Sequence, residues 1–538
     1  MSRRRNFTAL CGPRRLPYGK TARNRFFLLS FAFLCYISVS MATPNIKFGT
    51  SGWRAVIGED LTISSLRRVS HAVAEHVNDN KEYGYKGEEY LLNLRKAGKP
   101  APKTARIIIG YDTRYLSEDF ARTVAEAVAA ESITAVISNT EAPTPVVAWE
   151  VMRNYASGGV MITASHNPPH YNGFKWTPYW GGPALSEITN DLEARVQGLT
   201  IAEVDKHIPF EHGVTAGIIK VEDFHENYFK QLDTLLDLGA IKKAGLKIAA
   251  DSVNGAARTY LRPVLEKAGA KVLGLREERD VLFGGHAPDT DEENLKVLRE
   301  TVVKNKLNLG LACDGDADRF GIIDSDGTWI SPNLVLGLVL EHLVKNRGLK
   351  GKFARSVMTS HFADAIARHH GLEVRETAVG FKHIGNLLRT GQYLLGGEES
   401  GGLSVMNHVP EKDGILACLL IAEMVAYERK PIKKILADLN KRVGNFINSR
   451  VNLKLDKNLN MDVLIERLRV NPPLNLAGAS VWRIDHTDGF KFIMKDGSWL
   501  GLRPSGTEPL VRIYAEAPTA QKTAALNEAG KKIMSGKF

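Results

Sequence analysis

Short apolar segments that run into polar loops recur along this chain, and they limit the folds that it can adopt. Such segments occupy residues 106–112, 158–163 and 246–251. Each has the length of a buried strand, and apolar residues recur between them at helical spacing, as at Ile63 and Leu66. This alternation predicts layered α/β domains. Because 538 residues exceed what one core can organise, we expect about three to four domains.

The basic charge of the chain is concentrated at its N terminus. The net charge is +11, but the first 40 residues hold eight basic and no acidic side chains, so the remainder carries only +3. A basic tail does not give a folded domain the basic face that binds nucleic acid. We therefore expect no nucleic-acid partner.

Residues 26–46 carry no charge and follow that basic stretch. We interpret residues 1–44 as a leader outside the fold: a secretory signal, an organelle transit peptide, or a stretch that is not normally translated because Met41 is the true start. Polar residues argue against a transmembrane anchor here, and no later segment is long and apolar enough to span a bilayer, so we expect no stable membrane partner. Only Cys313 and Cys418 lie beyond the leader, which favours a reducing compartment. We expect a cytoplasmic protein, with export or organelle import through residues 1–42 as the alternative.

The segment 163–175 (TASHNPPHYNGFK) places a serine at the mouth of a predicted strand. Ser165 is either a turn residue or a nucleophile, and it lacks the flanking glycines of a hydrolase elbow. His166 and His170 have the spacing of a zinc-binding helix, but the two prolines between them prevent that helix. A hydroxyl among His166, His170 and Lys175 suits a group that carries phosphate, because nearby cations offset the charge of a phosphoserine.

A second polar loop, CDGDADRF, contains Asp314, Asp316 and Asp318. In an extended segment these alternate residues point to one side, and three carboxylates together repel one another unless a cation such as Mg²⁺ joins them. Arg319 and Ser325 stand where an EF-hand needs glycine and glutamate, which excludes that motif. The alternative is a solvated acidic turn.

Two further polar loops lie nearer the C terminus, one after a predicted strand and the other before the strand predicted at 511–516. Residues 396–402 (GGEESGG) offer acceptors for sugar hydroxyls, although a plain glycine-rich turn has the same composition. Residues 502–509 (LRPSGTEP) combine an arginine, two hydroxyls and a glycine, which suits an anion-binding loop as well as it suits a β-turn.

Taken in this order, the four loops resemble those of the α-D-phosphohexomutase family, which includes phosphoglucomutases and phosphomannomutases. Residues 48–54 (FGTSGWR) and 379–385 (VGFKHIG) extend the resemblance, which runs from about Ile46 to the C terminus. It implies an α/β fold with three similar α/β/α domains with mixed sheets and a smaller C-terminal α+β domain, arranged around a central cleft. The expected boundaries are 1–44 for the leader, 45–205 for domain I, 206–328 for domain II, 329–442 for domain III and 443–538 for domain IV.

The resemblance also implies an activity and a role for each matching residue. The chain would interconvert glucose 1-phosphate and glucose 6-phosphate through a phosphoserine and bound glucose 1,6-bisphosphate, with Mg²⁺ as cofactor. Ser165 would carry the phosphate and help Asp314, Asp316 and Asp318 hold the metal. The expected catalytic residues are Ser165, His166, Lys175, Arg54 and Arg319. The expected substrate-binding residues are Lys382, Glu398, Ser400, Arg503, Ser505, Gly506 and Thr507.

Departures from the family pattern bear on the substrate. The sugar loop reads GEESGG, whereas many mannose-tolerant and glucosamine members resemble GEMSGH or GEQSGH, so Glu399 and Gly402 favour glucose. Phosphomannomutase, phosphoglucosamine mutase and metal-dependent sugar phosphatase activities remain alternatives, as does sugar-phosphate binding without catalysis. Residues 79–103, which are polar and punctuated by glycine and proline, predict a surface insertion. The sequence predicts no oligomeric state.

Overall fold

The computed structural model describes residues 45–49, 51–454, 461–504 and 510–536. The leader predicted at 1–44 lies outside the described residues, as do Ser505, Gly506 and Thr507. Among the described residues, no helix combines the length and apolar character that crossing a bilayer requires.

The first unit packs helices on both sides of a mixed sheet. Its elements are β1 (Trp53–Val56), α1 (Ile63–Asp79), α2 (Glu88–Lys96), β2 (Arg106–Tyr111), α3 (Ser117–Ala130), β3 (Thr134–Ser138), α4 (Thr144–Arg153), β4 (Gly158–Ile162), β5 (Tyr171–Pro178), α5 (Ser186–Gly198), α6 (Ile201–Asp205), α7 (Phe210–Thr215) and β6 (Ile219–Glu222). The strand order is β1-β5-β4-β2-β3-β6, with β4, β2, β3 and β6 parallel. Ile107, Ile108 and Ile109 are fully buried, as expected of a central strand covered on both faces.

The second unit has a smaller mixed sheet. Its elements are α8 (His225–Leu235), α9 (Leu238–Ala244), β7 (Lys247–Asp251), α10 (Leu261–Lys267), β8 (Lys271–Leu275), α11 (Lys296–Lys304), β9 (Leu309–Cys313), β10 (Phe320–Asp324) and β11 (Trp329–Ile330), with 3₁₀ turns at Ala256–Thr259 and Phe283–Gly285. The order is β11-β10-β9-β7-β8. β9 and β10 are antiparallel neighbours, and the predicted acidic loop joins them.

The third unit repeats the layered design. Its elements are α12 (Pro332–Glu341), a π-helical turn (His342–Asn346), β12 (Lys352–Ser356), α13 (His361–His369), β13 (Val374–Thr377), α14 (Phe381–Leu388), β14 (Tyr393–Glu398), β15 (Gly402–Val405), α15 (Gly414–Glu428) and α16 (Ile432–Val443). The order β13-β12-β14-β15 contains two parallel pairs and one antiparallel pair. α15 is apolar on all sides and is buried from Gly414 to Ala426, because it packs between this sheet and the second unit.

The last unit is an antiparallel sheet with two helices. Its elements are β16 (Ile447–Lys454), α17 (Met461–Val470), β17 (Asn475–Leu476), β18 (Ala479–Asp485), β19 (Phe490–Met494), β20 (Trp499–Pro504), β21 (Leu510–Ala517) and α18 (Ala520–Met534). The order is β16-β21-β20-β19-β18-β17. The hairpin signals at residues 485–489 and 495–497 fall between consecutive strands, as predicted.

The segment 79–103 lies at the surface, as predicted, but it is anchored there. It contains α2, whose Tyr90 and Leu94 are buried against the first unit while most of the segment is exposed. The Tyr90 hydroxyl donates to the backbone oxygen of Tyr155 at 2.8 Å, and its ring packs edge-on against Tyr179. The polar composition of the segment did not indicate these two anchors.

Replacing Tyr90 by alanine is therefore expected to lower the free energy of unfolding by about 3–5 kcal/mol, the usual cost of emptying a buried aromatic site. Chemical denaturation measures this change. Tyr85→Ala, in the same segment but only half buried, is the control and is expected to cost about 1 kcal/mol or less. Equal, small effects of both changes would show that Tyr90 does not anchor the segment.

Candidate active site

Ser165 lies just beyond β4, in the loop that leads to β5. Its side chain is buried, and its Oγ donates a hydrogen bond to Oδ2 of Asp314 at 3.0 Å. Its φ of 52° is in the left-handed region, which residues other than glycine rarely adopt. Such strain persists only where the surroundings hold it. The loop is therefore held in a form that brings the serine hydroxyl to the acidic loop.

The acidic loop gathers Asp314, Asp316 and Asp318 into one buried group, with carboxylate oxygens within 4.8 Å of one another. Burial, together with the charges of Asp316 and Asp318, raises the pKa of Asp314 well above its ordinary value. The Oδ1 atoms of Asp316 and Asp318 are buried and have no hydrogen-bond partner among the described residues. Converging carboxylates with unsatisfied oxygens fit a hard divalent cation, so this group could hold a metal ion.

Two buried lysines contact the same loop. Nζ of Lys175, on β5, lies 2.5 Å from Oδ2 of Asp316 and 3.1 Å from Oδ2 of Asp318. Nζ of Lys412, just before α15, lies 3.2 Å from that Asp318 oxygen. Burial opposes both positive charges, but the neighbouring carboxylates outweigh it and raise the pKa of each lysine. Two permanent cations thus stand beside the carboxylates.

The remaining predicted catalytic residues surround Ser165. Nη1 of Arg54 donates to Oδ1 of Asn167 at 2.8 Å, and Nδ1 of His166 lies 3.5 Å from the serine Oγ. The charge of Arg319, together with burial, holds the pKa of His166 well below its usual value, so the imidazole is neutral. Nε of Arg319 is buried and makes no hydrogen bond within the described part of the chain, which leaves a donor for an anion.

The predicted sugar loop, residues 396–402, comprises the end of β14, the turn after it and the first residue of β15. Oε1 of Glu398 accepts the Gly380 N–H at 2.7 Å, and Ser400 is half buried in the turn. Burial, and secondarily the charge of Glu399, raises the pKa of Glu398 to about 7. This carboxyl therefore titrates near neutral pH.

Glu399 connects the sugar loop to the last unit. Its two oxygens accept from Ser356 Oγ at 3.1 Å and from Tyr514 OH, on β21, at 3.2 Å. Gly402 has a steric role, because a Cβ atom there would lie 2.2 Å from Cδ of Lys412. Any larger residue at position 402 would collide with the lysine.

Two predicted substrate-binding residues lie on other elements. Nζ of Lys382, on α14, donates to Ser186 Oγ at 2.7 Å, and no described contact joins it to the rest of the predicted site. Nε of Arg503, on β20, lies 3.0 Å from Oδ1 of Asp488, whose Oδ2 accepts the Val379 N–H at 3.1 Å.

Sequence reasoning missed Lys412 and Thr144. Thr144 Oγ1 donates to Oδ2 of Asp316 at 2.6 Å, and its N–H donates to the Asp316 backbone oxygen at 2.9 Å. A signal existed for Lys412, because Asp413 caps the apolar helix α15 and so places the lysine at a buried helix start. Thr144 carried no comparable signal, since its contact depends on how two units pack.

Four family models match this chain in order. They are described as Phosphoglucomutase/phosphomannomutase alpha/beta/alpha domain I (residues 87–202), domain II (226–327), domain III (331–443) and C-terminal domain (446–531). A phosphoglucomutase/phosphomannomutase from Thermococcus kodakarensis is 30% identical over 487 residues, which cover 90% of this chain and 98% of the relative. A protein from Methanothermobacter thermautotrophicus, provisionally named a phosphoglucosamine mutase, is 32% identical over 483 residues, covering 89% and 96%.

Solved structures agree with these matches. The crystal structure of a protein from Thermus thermophilus, provisionally named a phosphomannomutase, superposes with a TM-score of 0.75 at 30% identity, covering 92% of this chain and 99% of that one. The chain therefore belongs to the phosphoglucomutase/phosphomannomutase family, the α-D-phosphohexomutases, which are isomerases. The predicted family and fold class are confirmed.

Proposed function

We propose that this chain is a phosphoglucomutase that interconverts glucose 1-phosphate and glucose 6-phosphate, with Ser165 as the phosphate carrier. The observation that carries the proposal is the 3.0 Å contact between Ser165 Oγ and Asp314 Oδ2, because it brings a strained, buried hydroxyl to a carboxylate group that fits a cation. A serine that only forms a turn would require neither burial nor contact with a carboxylate.

The reaction consists of two phosphoryl transfers. In the first, the bond between phosphorus and Ser165 Oγ breaks as the sugar O6 bonds to phosphorus and gives up its proton, and that proton passes to the serine oxygen, which yields the bound 1,6-bisphosphate and the free serine hydroxyl. The bisphosphate then turns over in the site. In the second, Ser165 Oγ loses its proton and bonds to the phosphorus at C1 as the bond from that phosphorus to O1 breaks, and O1 takes up the proton, which gives glucose 6-phosphate and the phosphoserine. Nδ1 of His166, 3.5 Å from Ser165 Oγ, is placed to accept the serine proton and to pass it on.

The side chains of the site would act on charge and position. The ammonium groups of Lys175 and Lys412 would offset the charge on the transferring group, together with the guanidinium of Arg319, whose Nε lies 3.9 Å from Oδ1 of Asp318. Ser165 and the three aspartates are the residues that would hold Mg²⁺, which when bound adds further charge neutralisation at the phosphoryl oxygens.

The substrate would bind between the sugar loop and the last unit. Glu398 and Ser400 would form hydrogen bonds with the sugar hydroxyls. The phosphate that is not reacting would be held by Arg503, Ser505, Gly506 and Thr507. Lys382 would contribute a further contact. Glucose is favoured because Glu399 and Gly402 differ from the residues that many mannose-tolerant and glucosamine members have at these positions, and Gly402 leaves room for Lys412 beside it.

The test measures conversion of glucose 1-phosphate with and without added glucose 1,6-bisphosphate. A mutase is stimulated by the bisphosphate and releases no inorganic phosphate, whereas a phosphatase releases it and a binding protein does neither. Repeating the assay with mannose 1-phosphate and glucosamine 1-phosphate ranks the substrates. A higher kcat/KM for either of these would overturn the glucose assignment.

The carboxyl of Glu398 predicts a pH dependence of substrate binding. Its pKa of about 7 means that it is protonated at lower pH and becomes a full acceptor as pH rises through that value. We expect KM for glucose 1-phosphate to fall about tenfold across this range, as a charge-assisted hydrogen bond would supply. Glu398→Gln is the control, because residue 398 no longer titrates in this variant. Any pH dependence of KM that remains then comes from other groups, such as the substrate phosphate. The same pH profile in both enzymes would contradict the assigned role.

The cytoplasmic location expected from the sequence remains a proposal, motivated by substrates that are hexose phosphates. N-terminal sequencing of protein from its native cells, combined with fractionation, tests it. Activity in an extracytoplasmic or organellar fraction would overturn it.

A further inference from the structure

One buried guanidinium, that of Arg114, supports the backbone of the serine loop, residues 163–170 between β4 and β5. Arg114 lies just beyond β2 and is fully buried. Its Nη2 donates to the backbone oxygens of Ser165 and Asn167, both at 2.6 Å, and its Nη1 donates to those of Pro168 and Tyr171, both at 2.9 Å. Three carbonyls of this loop and that of the first residue of β5 thus converge on one side chain.

The fifth donor of Arg114 is also used, because Nε donates to Oδ2 of Asp112 at 3.1 Å. All five N–H groups of the guanidinium therefore have acceptors, a pattern that the single ammonium of lysine cannot reproduce. The other face of the guanidinium lies 5.1 Å from the ring centroid of Phe283, in the second unit.

Asp112 extends this support to the serine itself. Its Oδ2 also accepts from Thr163 Oγ1 at 2.6 Å, and that hydroxyl oxygen accepts the Ser165 N–H at 2.8 Å. Its Oδ1 accepts from Ser117 Oγ at 2.7 Å and from the Arg114 N–H at 3.0 Å. The Ser165 backbone is consequently linked to the buried ion pair of Arg114 and Asp112 in two ways. Its N–H is linked to Asp112 through the hydroxyl of Thr163, and its carbonyl oxygen accepts directly from Arg114.

These contacts account for the unusual backbone of the loop. Ser165 has a left-handed φ of 52°, and the loop around it belongs to neither a helix nor a strand. Regular backbone hydrogen bonds therefore do not fix this conformation. The acidic loop also approaches closely, since a Cβ at Gly315 would lie 2.6 Å from the Ser165 backbone oxygen. A small shift of the serine loop would change the distance from Ser165 Oγ to Asp314.

We infer that Arg114, Asp112 and Thr163 are positioning residues that hold Ser165 Oγ in register with the acidic loop through both phosphoryl transfers. They touch neither substrate nor the transferring group, and they act through the backbone of the serine loop. This inference rests on the proposed role of Ser165 as phosphate carrier.

The test compares Arg114→Lys with Arg355→Lys in the full chain. Arg355 is a matched control, because it is also buried and donates to both oxygens of an aspartate, Asp364, at 2.7 and 2.6 Å, but in the third unit. We expect both variants to melt a few degrees lower. Arg114→Lys is expected to lower kcat about 100-fold, the scale of a misplaced reacting group. Its KM, and both constants of Arg355→Lys, are expected to stay within about threefold of the wild-type values.

A second pair of variants covers the case in which Arg114→Lys does not fold. Thr163→Val removes the acceptor for the Ser165 N–H at nearly constant volume, and Thr163→Ser restores it. We expect kcat to fall about tenfold in the valine variant and to recover in the serine variant, with phosphate uptake by Ser165 from glucose 1,6-bisphosphate slowed in parallel. Equal kcat in the valine and serine variants overturns the inference, as does a loss of kcat in Arg355→Lys equal to that in Arg114→Lys.

Phosphate uptake separates this inference from the function on which it rests. A wild-type enzyme that takes up no phosphate on Ser165 overturns the proposed function. A wild type that does so, with Arg114→Lys taking it up at the same rate, overturns only the positioning role.

Discussion

Replacing Ser165 by alanine is expected to lower turnover of glucose 1-phosphate by at least about four orders of magnitude, because it removes the nucleophile that carries the phosphate. The fold is expected to survive, since the change deletes one hydroxyl and leaves the contacts of the loop backbone in place. Steady-state kcat, measured by formation of glucose 6-phosphate, gives the result.

The matched control is Ser70→Ala. Ser70 is equally buried, but its hydroxyl donates to the backbone oxygen of Leu66 within α1. This variant is expected to keep kcat within about twofold of the wild type, as substitutions away from a reaction centre do. Near-normal turnover in Ser165→Ala would refute the covalent mechanism.

Removing divalent metal is expected to have the second-largest effect, lowering activity at least about 100-fold, because the buried carboxylates then lack the cation that offsets their charge and that of the phosphoryl group. Chelation followed by addition of Mg²⁺ measures the loss and its recovery. Mg²⁺ is also expected to raise the melting temperature of the wild type, because it binds the folded acidic loop.

Asp314→Asn locates this effect in the acidic loop. The Mg²⁺ concentration for half-maximal activity is expected to rise at least about tenfold, since even partners of metal ligands affect affinity on that scale. Asp326→Asn, in the exposed turn after β10, is the control and is expected to leave the requirement unchanged. Full activity in metal-free buffer would show that the carboxylates serve only the lysines beside them.

The elements that position the site could be predicted from local pattern. The strands before the serine and acidic loops are short and wholly apolar. The structure has them at Gly158–Ile162, where the sequence predicts 158–163, and at Leu309–Cys313, where it predicts a strand over 307–314. The three aspartates converge as predicted, but they do so in a turn in which Ala317 has a φ of 58°, and not in the extended segment that the alternation assumed. Local sequence suffices where the chemistry lies within one loop.

Contacts between residues far apart in sequence could not be predicted in this way. Lys412 reaches Asp318 of another unit across about 90 positions of sequence, and Arg114 supports a loop of its own unit that begins about 50 positions later. The helix cap at Asp413 indicates a buried helix start beside Lys412, but no local pattern indicates the partner of either charged side chain. The segment 79–103 lies at the surface as its polar composition predicts, but its anchoring could not be predicted, since only two buried side chains hold the helix within it.

Phosphopeptide mass spectrometry of the full chain tests the central claim most directly. After incubation with glucose 1,6-bisphosphate and removal of the sugar, the account predicts one phosphate per chain on the peptide that contains Ser165. It also predicts that this phosphate leaves the protein when glucose 1-phosphate is added and is found in the 1,6-bisphosphate or in glucose 6-phosphate. Full mutase activity with no phosphate on Ser165, or with a phosphate there that never exchanges with the sugar, would contradict the account.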